Sequence, residues 1–184
     1  MKRLLFILPI IAFAGLAVFL GIGLTKDPKE LPSQLIDRPL PEFALPGIVE
    51  QPGSGPPELN GFASASFRGE PRLLNIWASW CAACPQEHPV LERIASEGFP
   101  VYGIAWKDKP ADSRAWLARY GNPYAGVAAD EQGRTAIDLG VTGVPETFIV
   151  DKKGRVRFKQ IGPISPEVWE GQIKPLLQQL RAEA

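Results

Sequence analysis

Two cysteines, Cys81 and Cys84, stand at C-x-x-C spacing and are the only thiols in a chain of 184 residues. Such a pair can hold a metal, attach haem, staple a loop or exchange disulfides. Zinc needs four N, S or O ligands, and beyond the two thiols the chain offers one imidazole, His88, and no second cysteine pair. Covalent haem attachment needs His directly after the second cysteine, and position 85 is Pro. A purely structural bridge closing so short a loop contributes only about 2 kcal/mol before strain. Redox exchange is left: one thiolate attacks a partner disulfide and the other resolves the mixed disulfide. Cys81 is expected to attack and Cys84 to resolve.

The surrounding pattern supplies the elements such chemistry needs. Leu73, Leu74, Ile76 and Trp77 form a short apolar run typical of a strand buried on both faces, and it leads straight into Trp80-Cys81-Ala82-Ala83-Cys84. Val90, Leu91 and Ile94 then recur at helical spacing over 88–96, Gly98 stops the helix, and Val101 to Trp106 is a second apolar run. A strand–helix–strand unit places Cys81 where unpaired backbone N–H groups and the positive end of a helix dipole stabilise a thiolate. Trp116, Leu117 and Tyr120 mark a second helix ended by Gly121-Asn122-Pro123. A weak strand at 125–129 and a short helix near 136–139 follow. Thr147 to Val150 and Val156 to Ile161 read as a hairpin joined by Asp151-Lys152-Lys153-Gly154. Ser165-Pro166-Glu167 starts a last helix, whose apolar face is Val168, Trp169, Ile173, Leu176, Leu177 and Leu180. The expected fold class is α/β, a central sheet covered by helices on both sides.

The amino terminus is a different object. Leu4 to Leu24 is 21 residues without a charge, about 31 Å as a helix and enough to cross a bilayer core of roughly 30 Å. Ala12-Phe13-Ala14 resembles a signal-peptide cleavage site, but cleavage there would leave ten apolar residues on the mature chain, which favours an uncleaved anchor. Lys2 and Arg3 before the span are expected to put the amino terminus in the cytoplasm and the rest on the outer face, which is the bacterial periplasm if the cell is Gram-negative. The expected organisation is 1–24 anchor, 25–41 extended Pro-bearing linker and 42–184 a single domain, with 46–61 a Pro/Gly-broken surface loop. Twenty basic and twenty acidic side chains give no polycation field, so nucleic acid is excluded as a partner.

Leu73-Leu-Asn-Ile-Trp-Ala-Ser-Trp-Cys-Ala-Ala-Cys84 resembles the active-site strand and helix start of thioredoxin-like proteins, and Gly143-Val144-Pro145-Glu146-Thr147-Phe148 resembles their cis-proline loop. Glu87-His88, Gly121-Asn122-Pro123-Tyr124, the Pro-Glu-Thr after Val144 and Val168-Trp169-Glu170 together resemble the membrane-anchored CcmG/DsbE branch. That resemblance implies a thioredoxin-like fold and a reductant in cytochrome c maturation, acting on apocytochrome c or a partner thiol protein. It also implies electrons arriving from a membrane thiol-reducing protein, with no dissociable cofactor. Ordinary thioredoxins carry a buried acid six residues before the first cysteine; Asn75 stands there. The resemblance offers Glu87 and Glu146 instead, as acids that raise the thiol pKa and make the couple more reducing. A cis bond at Pro145 would turn the Val144 backbone toward the cysteines, where an extended partner peptide could pair. Trp80 is expected to form an exposed apolar contact surface, His88 to pack rather than catalyse, and Pro89 to kink its helix. Two rivals are a thioredoxin-like reductase for oxidase or copper-site assembly and a non-catalytic apocytochrome-binding or haem-chaperone module.

Overall fold

The computed structural model describes residues 2–24, 34–49, 51, 53 and 55–183 and divides into two compact units, Met1–Pro32 and Ser33–Ala184. The first holds one helix, α1 (Lys2–Leu24), with Pro9 inside it. Its described side chains are those of residues 9 and 11–21. The span expected over 4–24 falls on this helix; among the described residues no helix is long and apolar enough to cross a membrane.

The second unit is built on a five-stranded mixed sheet whose strands lie in the order Gly126–Asp130, Val101–Trp106, Arg72–Trp77, Glu146–Val150 and Val156–Ile161. Strands β3 (Arg72–Trp77), β4 (Val101–Trp106) and β5 (Gly126–Asp130) run parallel, joined by α2 (Cys84–Ser96) and α3 (Pro110–Tyr120). Strands β6 (Glu146–Val150) and β7 (Val156–Ile161) add antiparallel on the other side of β3, after α4 (Arg134–Asp138). The chain closes with α5 (Pro166–Val168), a π-helical turn over Trp169–Ile173, and α6 (Lys174–Ala182). Ser165 caps α5 by accepting the Val168 N–H at 3.3 Å, as its hydroxyl and the following proline lead one to expect.

Period-two alternation divides the core into two layers. Leu73 and Trp77 of β3 and Ile149 of β6 pack with Leu91 and Ile94 of α2 and Leu177 and Leu180 of α6. Leu74, Ile76, Phe148 and Val150 point the other way, against Leu139, Phe67 and Leu40. Five of the six β3 residues are buried, which is why this strand reads as a continuous apolar run.

Two parts of the chain differ from expectation. Of the tether expected over 25–41, residues 25–33 lie outside the described set, whereas 34–41 dock on the domain. Asp37 and Leu40 donate backbone N–H groups to Val156 and Gly154 at 2.7 and 2.8 Å, and Leu40 is buried. Prolines disfavour a helix but not an extended segment laid along a sheet edge. The 46–61 loop connects an antiparallel pair, β1 (Ala44–Pro46) and β2 (Gly61–Ala63). Its Ile48 is wholly buried. The chain crosses itself closely here: a Cβ on Gly47 would stand 1.9 Å from the Leu59 carbonyl oxygen, so only glycine fits.

Candidate active site

The two thiols sit at the carboxyl end of β3, where the chain turns into α2. Cys81 and Cys84 are joined as a disulfide with Cα atoms 5.5 Å apart, and both are nearly buried. Cys84 is the first residue of α2, and its backbone N–H donates to Cys81 Sγ at 3.1 Å. The sulfur of Cys81 therefore takes one of the N–H groups that a helix start leaves without an intrahelical partner. A thiolate there gains both that bond and the dipole.

Around Cys81 the surface is concave, about 540 Å³ in volume, with Trp80, Pro85, Trp116, Arg119 and Tyr120 among its walls. Trp80 is 54% exposed, and its indole N–H donates to the Lys107 carbonyl at 3.1 Å. Lys107 presents that carbonyl from a left-handed backbone conformation, φ +47°. The next residue, Asp108, is buried and accepts from Ser79 N–H, Ser79 Oγ and Ser113 Oγ at 2.7, 2.7 and 2.8 Å. The loop carrying Ser79 and Trp80 is thus tied to the end of β4. His88 meets Trp116 edge-on at 4.8 Å, and burial lowers its pKa, so it is a neutral packing residue.

Beneath the cysteines lies a buried polar cluster. Glu87, one turn past Cys84, is 1% exposed. Its carboxylate accepts from Asn75 Nδ2 at 2.9 Å and from the Ile164 N–H at 3.0 Å. Asn75 also donates to Thr147 Oγ1 and accepts from the Tyr124 hydroxyl, both at 2.9 Å. Burial pushes the Glu87 pKa up to about 7, and the two bonds only partly offset it. Burial, then the Glu87 charge, holds Tyr124 well above the usual phenol range, so its hydroxyl stays a donor. Asn75 on β3 thus holds the carboxylate of Glu87 on α2.

The Val144–Pro145 peptide is cis, as the sequence led us to expect. Glu146, the second acid, is in a different setting from Glu87. It alternates with Thr147 along β6, so its side chain shares the face of Phe148 and Val150, opposite the Asn75 and Glu87 cluster. Its Oε2 pairs with Lys159 Nζ at 2.8 Å, with both side chains almost fully buried, and its Oε1 accepts from the Thr142 N–H at 3.0 Å and from the Thr142 hydroxyl. Sequence reasoning brought out Glu87 and Glu146 as acids but missed Asp108, Thr147 and Lys159. In Val-Arg-Phe-Lys, Lys159 reads as a solvated charge. Among the described residues no cluster of three or more His, Cys, Asp or Glu is placed to hold a metal ion.

Comparison with known proteins agrees with this geometry. The Redoxin family model matches residues 39–177. Over its whole length the chain is 44% identical to thiol:disulfide interchange protein DsbE of Pseudomonas aeruginosa, covering 98% of that protein. It is 38% identical to DsbE of Escherichia coli, covering 99%. A crystal structure of a DsbE from Chlorobium tepidum superposes with a TM-score of 0.62 at 28% identity, over 77% of this chain and 95% of that one. A thioredoxin-like sheet with its C-x-x-C at a helix start, matched end to end by these relatives, makes this chain a thiol:disulfide oxidoreductase that belongs to the DsbE family.

Proposed function

We propose that the chain is a membrane-tethered reductant of the periplasmic face of the bacterial inner membrane, its amino terminus cytoplasmic, that passes two electrons from Cys81 and Cys84 to a partner disulfide in cytochrome c maturation. The partner is apocytochrome c at its C-x-x-C-H site or a thiol protein that serves it. The observation that carries this reading is the Cys84 N–H donated to Cys81 Sγ at the head of α2. It supports Cys81 as the nucleophile.

The Cys81 thiolate attacks one partner sulfur, forming a mixed disulfide and expelling the other partner sulfur as a thiolate. Cys84 then loses its proton and attacks Cys81 Sγ, so the bond to the partner breaks and the Cys81–Cys84 disulfide forms. The partner has gained two electrons and leaves as two thiolates, which take one proton back from Glu87 and one from solvent, where the Cys81 thiol lost its own on ionising. Glu87, with a pKa near 7 and about 5–6 Å along the helix by Cβ spacing, takes the Cys84 proton at neutral pH. The groove at Trp80 and the Val144–Pro145 loop hold the partner. Val144 makes no backbone hydrogen bond of its own among the described residues, which leaves its N–H and C=O for an extended partner strand. Electrons return from a membrane thiol-reducing protein, and no dissociable cofactor takes part. The uncharged run from Leu4 to Leu24 supports the tether.

The test is trapping. With a disulfide-bearing Cys-x-x-Cys-His peptide, reduced Cys84→Ser accumulates a mixed disulfide through Cys81, because attack remains and resolution is gone. Cys81→Ser traps far less. Equal trapping by both variants would overturn the assignment of roles.

A further inference from the structure

We infer that Lys159 is a positioning residue for the partner-binding loop: its buried ammonium joins the two ends of the 140–146 segment and so sets where Val144 and Pro145 stand. Lys159 Nζ donates to the Gly140 carbonyl at 2.8 Å and pairs with the Glu146 carboxylate at 2.8 Å. These two contacts bracket the loop, one at its first residue and one at its last. Glu146 in turn holds the middle through Thr142. The ammonium also stands 5.3 Å from the Phe148 ring centroid, opposite Lys159 in the β6–β7 register, so a fixed strand anchors the clamp.

The arrangement also gives Glu146 a role other than that of a free charge acting on the thiols. A carboxylate paired at 2.8 Å with a buried ammonium presents a compact dipole to the far face of the sheet, and a dipole's field falls off faster than a lone charge's. What the pair does hold is geometry, and a small misplacement of a binding element is costly to a bimolecular exchange. A solvent-facing lysine would gain little from its pair; the Lys159 side chain is 6% exposed, so losing it leaves the buried Glu146 carboxylate without its cation.

The inference rests on the proposed reduction of an extended disulfide peptide, and the experiment separates the two. Reduction of an oxidised Cys-x-x-Cys-His peptide is followed for the wild-type chain and for Lys159→Met, Lys159→Arg and Thr142→Val, with the Cys81 thiol pKa titrated by thiolate absorbance in each. A wild-type chain that does not reduce the peptide overturns the functional reading itself. Given wild-type turnover, Lys159→Met raises KM about tenfold, Lys159→Arg restores most of it, and the thiol pKa stays within about 0.2 unit of wild type in both. Thr142→Val keeps the ion pair and sits at an exposed position, so it carries the test even where Lys159→Met does not fold. Loss of its hydroxyl raises KM about two- to tenfold. An unchanged KM in Thr142→Val, or a thiol pKa that moves in Lys159→Met while KM does not, would overturn the positioning role.

Discussion

Glu87 has a carboxyl group inside the protein with a pKa near 7, and this has a cost that can be measured apart from catalysis. Its value in the unfolded chain is 4.5 and burial raises it in the folded one, so between those two pH values the native state holds a proton that the unfolded state has lost. Stability from this group is therefore complete below pH 4.5 and is lost as pH rises through 7. A shift of that size corresponds to about 3 kcal/mol. Urea denaturation of the oxidised wild-type chain and of Glu87→Gln is expected to show the wild type losing that much more than the variant between pH 4.5 and 8. Parallel profiles would mean that Glu87 is already ionised, with its hydrogen bonds to Asn75 and Ile164 carrying the charge. The Asn75 amide is the residue most readily misread from sequence. It marks a missing acid, and only the structure shows that it reaches Glu87, twelve positions along the chain.

At the scale of elements, what the sequence revealed was what periodicity encodes. The apolar run of β3, the helical spacing in α2 and the Ser-Pro-Glu start of α5 all translate directly into structure because each depends on neighbours within a few residues. The β1–β2 pair, the docked 34–41 segment and the π-helical turn at 169–173 depend on tertiary contacts and left no local signal. Asp108 belongs with them. It lies just past the end of β4, in a stretch that reads as an ordinary polar turn, yet it binds Ser79 and Ser113 and so fixes the loop beside Cys81. Asp108→Ala strands those donors and is expected to lower stability by about 2 to 4 kcal/mol. Thermal melts and Trp80 accessibility to a collisional quencher would show the loss of stability together with a looser tryptophan. Gly103 states the same constraint in reverse: a Cβ there would meet Trp77 Nε1 at 2.8 Å and the Tyr124 ring at 2.9 Å, which ties strand β4 to the cluster that holds Glu87.

For the whole molecule, the thioredoxin-like domain and its redox pair were legible because chemistry and fold share one short segment, residues 73–84. The partner-binding apparatus was legible only in part, since Lys159 acts through a contact between strands. Anchorage is a property of the full chain: if residues 4–24 are retained, the protein is expected to fractionate with membranes, resist extraction by high salt or alkali and be released by detergent. A soluble mature form beginning near Gly15, with no membrane-bound form, would contradict the tether. The central claim is that electrons leave the Cys81–Cys84 pair for a partner disulfide. It is tested most directly by mixing the fully reduced chain with an oxidised Cys-x-x-Cys-His peptide and counting free thiols on both molecules by alkylation and mass spectrometry. The account predicts one peptide disulfide reduced for each Cys81–Cys84 disulfide formed, and none with the double Cys→Ser variant. Peptide bound equally by wild type and double variant with both disulfide counts unchanged would contradict it and leave a binding module in place of a reductase.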